Sequence, residues 1–229
     1  MDDGLILSLE TSTPVCSVAL HRAGVLLGEQ SYHLDKSHSS LLPSILEQLV
    51  ANCGYTMKNL DGFAISGGPG SYTGMRIGLS TAKGVCYALE IPLLSVGTLD
   101  VLVAQAREWL PAAALIAPML DARRMEVYTL LEDKEGTEIW PLQALILEAD
   151  SFGGFRDRPL YLVGNGAAKC DGFIDHPDLH IVTTDPSAVA LGGLAWEKFI
   201  KEEFEDLAYF EPNYLKAFQT KPPSNKFKP

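Results

Sequence analysis

The chain has 229 residues, which at roughly 150 per domain points to one or two domains with a sizeable buried core. Apolar residues make up 47% and charged residues 21%, which excludes a wholly disordered chain, and the longest apolar stretch, Pro111 to Leu120, falls far short of the ~20 residues of a membrane span. Lys and Arg number 18 against 29 Asp and Glu, a net charge of −11 that makes a poor independent nucleic-acid binder but does not exclude a complex in which a partner holds the nucleic acid.

Three strands open the chain: Leu5 to Glu10, Val15 to His21, and Val25 to Tyr32 after the Ala23-Gly24 turn. Joined this tightly, they are antiparallel neighbours. A helix follows, with Leu41, Leu42, Ile45, Leu46, Leu49, Val50 and Cys53 in a double apolar stripe. Ser39 or Ser40 is the expected cap, Pro43 falls in or next to the first turn, and Gly54 stops it. A stripe this wide suggests one side on the protein's own sheet and one on a partner. Gly62 to Ser66 is a short strand, Gly67 to Gly74 a turn, and a helix runs from Thr73 to Leu89. Strand Ile91 to Val96 and a helix capped by Thr98 and running through Trp109 complete a first lobe with parallel crossovers.

The second half begins alike, with strands Ala114 to Leu120, Met125 to Leu131 and Thr137 to Trp140. The spacing predicts a helix over 141–149, a strand over Leu160 to Val163, a Gly164-Asn165-Gly166 turn, an ambiguous Lys169 to Ile174, a strand over His180 to Val182 and a helix from Asp185 or Ser187 through Phe204. In both halves a buried strand ends in an acid at a hairpin, Glu10-Thr11-Ser12 and Asp121-Ala122-Arg123. This repeat points to an α/β fold of two lobes, duplicated βββαβα units as in the actin, sugar kinase and Hsp70 ATPases (the ASKHA, ribonuclease H-like class), with lobes at 1–110 and 111–211 and a basic Pro/Lys tail at 212–229. Those enzymes hold nucleotide between the lobes.

The chemistry for that is incomplete. A phosphate hairpin of this architecture reads D-x-G-[ST], because glycine lets backbone N–H groups approach the anion. Here Glu10 replaces Asp, Ser12 replaces Gly and Pro14 removes a donor, so Glu10, Thr11, Ser12 and Asp121 stand as vestigial nucleotide-binding candidates. Gly67-Gly-Pro-Gly-Ser-Tyr-Thr-Gly74 is either an anion site at a helix start or a tight turn against another backbone, and it matches neither the Walker loop nor G-x-G-x-x-G. His21, His33, His38, His176 and His180 form no metal-binding pair, and Cys16, Cys53, Cys86 and Cys170 form no C-x-x-C. Reduced buried thiols, no metal, no cofactor, no catalytic residue and a cytoplasmic location are the expectations. The start, Met1-Asp2-Asp3-Gly4, has no signal-peptide pattern.

Five segments, Leu7-Ser-Leu-Glu-Thr-Ser-Thr13, His38-Ser-Ser-Leu-Leu-Pro43, Gly68-Pro-Gly-Ser-Tyr-Thr-Gly-Met-Arg-Ile-Gly78, Pro118-Met-Leu-Asp-Ala-Arg123 and Pro212-Asn-Tyr-Leu-Lys216, resemble the TsaB (YeaZ) family in the family's order. The resemblance implies the two-lobed fold and a part in making threonylcarbamoyladenosine at position 37 of tRNA. It implies a non-catalytic scaffold subunit that stabilises and activates the TsaD paralogue as a heterodimer, with the TsaE ATPase completing the complex and tRNA met only through it. It also implies pairing through the first two helices, hence a partner interface of Leu41, Leu42, Ile45, Leu49, Met75, Leu79 and Val85; the excess apolar face on these residues predicts a weak homodimer when the chain is alone. Lys216 departs from the Arg common in the family. The rival functions are an active actin-fold kinase or ATPase using Glu10 and Asp121, and a metallopeptidase.

Overall fold

A computed structural model describes residues 3–33 and 38–215, with residues 38–41 by backbone alone. The basic tail from Lys216 and the side chain of Leu41 lie outside the described residues. The first sheet contains β1 (Leu5–Glu10), β2 (Cys16–Arg22), β3 (Val25–Tyr32), β4 (Gly62–Ser66) and β5 (Leu93–Val96), in the order β3-β2-β1-β4-β5. β1 pairs antiparallel with β2 and parallel with β4. The second sheet contains β6 (Leu115–Asp121), β7 (Glu126–Asp133), β8 (Glu138–Ile146), β9 (Leu160–Val163) and β10 (Leu179–Val182). Its order, β8-β7-β6-β9-β10, is the same as that of the first sheet. Again the inner strand is antiparallel to its hairpin partner and parallel to the fourth strand. The duplication expected from the sequence is therefore present, and the fold is the two-lobed actin-like one.

The inner strand β1 is buried on both faces, which its unbroken Leu-Ile-Leu-Ser-Leu-Glu run requires. Leu5, Leu7 and Leu9 meet helices α1 (His38–Asn52) and α2 (Tyr72–Leu89), while Ile6 on the opposite face meets α4 (Ala188–Ile200) through Leu191, Ala195 and Phe199. Helix α3 (Thr98–Arg107) packs instead on the second sheet, with Leu99, Leu102, Val103 and Ala106 against Ile116, Leu120 and Val163. The last helix of each half thus covers mainly the other half's sheet, binding the two lobes together through chain exchange as well as through their shared border.

Several elements differ from the sequence expectation. The segment 141–149 is not helical. β8 continues through Ile146, pairing Val127 with Leu145 and Tyr128 with Ala144. Pro141 is tolerated there because β8 is an edge strand with no neighbour awaiting its N–H. Ser39 and Ser40 lie within α1 rather than capping it, which puts Pro43 in the second turn. Gly97, not Thr98, caps α3, and α4 ends at Ile200, not Phe204. A 3-10 turn, Ala167–Cys170, occupies the start of the ambiguous 169–174 segment.

Beyond α4 the chain returns to the first lobe as a strap. The Glu205 N–H bonds to the Leu93 carbonyl, and the Asn213 N–H to the Gly67 carbonyl at 2.7 Å. The Tyr214 ring lies 5.0 Å from that of Tyr72. The Pro-Asn-Tyr-Leu segment thereby holds the start of the glycine-rich loop. No helix among the described residues is long and apolar enough to cross a membrane.

Candidate functional site

Glu10 closes β1 and is fully buried. Its Oε1 accepts the Ser12 N–H at 2.6 Å, while Oε2 has no partner among the described residues. Burial raises its pKa from 4.5 to about 7. The Ser12 bonds pull it down, and the charge of Asp185 adds to the rise. Thr11, Ser12 and Thr13 are equally enclosed, at 3–4% exposure. What encloses them is the start of α2. The Ser71 N–H donates to the Ser12 carbonyl at 2.6 Å, and the Thr11 hydroxyl to the Gly74 carbonyl at 3.0 Å. A Cβ on Gly70 would stand 2.6 Å from the Ser12 Cβ, and one on Gly74 or Gly78 would overlap Thr11. Glycines 70, 74 and 78 are therefore there for close approach. They let the start of α2 settle against the Thr11 and Ser12 carbonyls and the Thr11 hydroxyl, while the Ser12 N–H is held by Glu10.

The equivalent hairpin of the second lobe is open. Asp121 is exposed, and its Oδ1 accepts from Lys169 Nζ and from the Arg123 N–H, both at 2.6 Å. Asn165, from the Gly-Asn-Gly turn, accepts the Asp121 N–H and donates to Asp185 at 3.2 Å. The two hairpins that carry the four vestigial candidates are linked through Asn165 and Asp185, whose charge acts on Glu10. Glu10, Thr11 and Ser12 are sealed in the first lobe, and Asp121 is neutralised in the second. Sequence reasoning missed Asp185, Asn165 and Lys169, which tie the second hairpin to its surroundings; the glycines flanking Asn165 were the available signal. No group of three or more His, Cys, Asp or Glu among the described residues could hold a metal. His21 is buried against Ser8 and Gly192, His176 bonds the Phe155 carbonyl, and His180 stacks on Tyr161 at 4.3 Å. Burial pushes the thiols of Cys16 and Cys170 up to about 11 and that of Cys86 to about 12.

The residues expected at a partner surface are mostly covered within this chain. Leu42, Ile45, Leu49 and Met75 are 1–3% exposed. They lie in the chain's own interior and, as folded, offer no surface. The physical reason is that α1 sits in the angle between the sheet and α2, so both rows of its stripe are covered from within. Leu79 and Val85 are half-buried at the margin of the same cluster. The outward face is instead that of α2, where Tyr72, Thr73, Arg76, Ile77, Ser80 and Thr81 line an open groove and Tyr87 is 81% exposed.

Residues 29–142 match the family described as TsaD, tRNA N6-adenosine threonylcarbamoyltransferase. The chain is 34% identical over 165 residues, 70% of each chain, to the tRNA threonylcarbamoyladenosine biosynthesis protein TsaB of Bacillus subtilis. It is 26% identical over 229 residues to the protein of the same name from Haemophilus influenzae, across 94% of this chain and 95% of that one. The solved structure of YeaZ from Pseudomonas aeruginosa superposes with a TM-score of 0.81 at 26% identity, covering 93% of this chain and 100% of that one.

Proposed function

The chain belongs to the TsaB family of tRNA threonylcarbamoyladenosine biosynthesis proteins, and from that premise we propose that it is a non-catalytic subunit that pairs with the TsaD paralogue and stabilises it for threonylcarbamoyl transfer to tRNA. The observation that carries the non-catalytic reading is the sealed first hairpin, with α2 seated on Thr11 and Ser12 through Gly70, Gly74 and Gly78. An ATPase of this architecture needs the hairpin's N–H groups free for phosphate, and here the Ser12 N–H is taken by Glu10. In this reading TsaE and tRNA meet the protein only in the assembled complex, and the isolated chain forms a weak homodimer through the same face. The pairing face is the outer side of α2 with the margin of Leu79 and Val85, not the inward row of α1.

Leu79→Asp against Leu49→Asp tests this. Leu49→Asp would place an unpaired charge in the core, which costs several kcal/mol, so that variant is expected to lose its helical circular dichroism. Leu79→Asp, at a half-exposed margin, is expected to leave a folded chain that no longer co-elutes with TsaD or supports tRNA modification. A folded Leu79→Asp chain that still binds TsaD would remove α2 from the interface. ATP turnover by the isolated chain, abolished by Glu10→Ala, would overturn the non-catalytic reading.

A further inference from the structure

From Gly62 to Leu89 the sequence contains no acid, in a chain whose acids outnumber its bases 29 to 18. The cations of that stretch are Arg76 and Lys83, both on α2. Lys83 is spent within the chain, its Nζ donating to the Ala208 carbonyl at 3.1 Å. Arg76 is not. One guanidinium nitrogen donates to the Tyr72 hydroxyl at 2.8 Å, and the group lies over the Tyr72 ring, 5.2 Å from its centroid. That ring is in turn braced by Tyr214. Among the described residues no carboxylate stands within ion-pair distance of Arg76, and the side chain lies on the wall of the open α2 groove. A guanidinium fixed by an aromatic face and one hydroxyl keeps its other donors pointed outward, at low entropy cost for the next hydrogen bond.

Beyond the groove, the exposed ridge of α2 is small: Ser80, Gly84 and Ala88 follow at four-residue spacing. A Cβ on Gly84 would meet nothing of this chain within 4 Å. The chain's own packing therefore does not call for that glycine, although it weakens the helix.

Building on the proposed pairing with TsaD, we infer that the α2 groove takes a partner helix that carries a carboxylate, with Arg76 as the anchor for it. The charge of the groove selects that chemistry, and the small ridge lets the partner backbone come close. A fixed guanidinium with no ion-pair partner among the described residues, on a helix that itself carries no acid in a protein whose net charge is −11, is an address for an acidic partner element. Tyr72 is a positioning residue for Arg76.

The experiment is a calorimetric titration of the full chain with TsaD at low and high salt, using wild type, Arg76→Ala, Arg76→Glu, Tyr72→Phe and Gly84→Trp. Expected are about tenfold weaker binding for Arg76→Ala, about a hundredfold or more for Arg76→Glu, and a gap between wild type and Arg76→Ala that narrows as salt rises. Tyr72→Phe, which keeps the ring but loses the hydroxyl brace, is expected to fall between wild type and Arg76→Ala. Arg76→Glu binding as tightly as wild type while Gly84→Trp does not bind would overturn the charge assignment and keep the face. Wild-type affinity for both variants would overturn the face as well. Failure of the wild type itself to bind TsaD would sink the pairing proposal and this inference with it. If the occupant is a second copy, with Glu47 on α1 as the acid, Arg76→Glu will change the sedimentation of the isolated chain and leave TsaD binding untouched, which also refutes the inference.

Discussion

The two halves of the molecule share a strand order and differ in what connects the strands. In the first, the crossovers are α1 and α2, helices of 15 and 18 residues; in the second, the corresponding places hold 3-10 turns of three and four residues. One hairpin has therefore been roofed by a helix and the other left in the open. Under the roof, the Thr11 hydroxyl and the Ser12 carbonyl bond to the start of α2 and its cap; in the open, the half-exposed Asp121 pairs with Lys169. The same difference sets the outer surface of the first half. Two long helices leave an outer face that the chain itself does not cover.

If the roof is as tight as the glycines imply, its removal is the largest effect available. Gly74→Ala should favour the helix intrinsically, by up to ~1 kcal/mol, yet its Cβ would overlap the Thr11 carbonyl, which cannot rotate away. Overpacking against backbone should win, destabilising the protein by about 2–3 kcal/mol and lowering its thermal midpoint by roughly 6 °C or more. A midpoint equal to that of wild type would mean that α2 lifts freely and that the first hairpin is as open as the second.

Glu10 and Asp121 sharpen the contrast through pH. Glu10 is protonated below pH 4.5 in folded and unfolded chains alike, so no charge is buried there. Above about pH 7 it is ionised in both, and the folded state carries the whole penalty. Stability is accordingly lost as pH rises from 4.5 to 7, by about 3 kcal/mol at 1.36 per unit. Glu10→Gln keeps an acceptor for the Ser12 N–H without the charge. Its thermal midpoint should match wild type near pH 4 and exceed it at pH 8. Asp121→Asn, at an exposed position, should show no comparable pH window.

How much of this could be read from the sequence depends on range. β1, β3, β4 and β9 end at the residues where local pattern ends them, because turn residues and unbroken apolar runs are local signals. The second half of β8 was not legible. Leu142-Gln-Ala-Leu-Ile146 consists largely of good helix formers, and only pairing with β7 makes it a strand. The inward burial of the α1 stripe was not legible for a related reason. The double stripe of α1 is as wide as an interface would make it, but two neighbours at an angle, the sheet and α2, use both rows. The sealed hairpin was half legible: the glycines announced a close approach, and only the fold shows that Thr11 and Ser12 are what they approach. Asp185 reaches the neighbourhood of Glu10 from the far end of the chain, a relation that no spacing rule contains.

The smallest effect bears on the uncovered face. Gly84 sits in the same helix as Gly74, but its missing Cβ would meet open space. Gly84→Ala should therefore stabilise the isolated protein by about 0.5–1 kcal/mol, the ordinary helix-propensity gain plus the reduced freedom of the unfolded chain. In a urea melt the midpoint should rise with no change of slope, since neither end state changes in exposed area. The gain should reverse in the complex. If a partner backbone lies on the Ser80, Gly84, Ala88 ridge, one added methyl holds it away, and TsaD should bind the more stable variant less tightly than it binds wild type. Opposite signs for folding and pairing from one methyl group would separate a glycine kept for a neighbour from one that merely drifted. Stabilisation with unchanged binding would leave the ridge bare and confine the interface to the groove around Arg76.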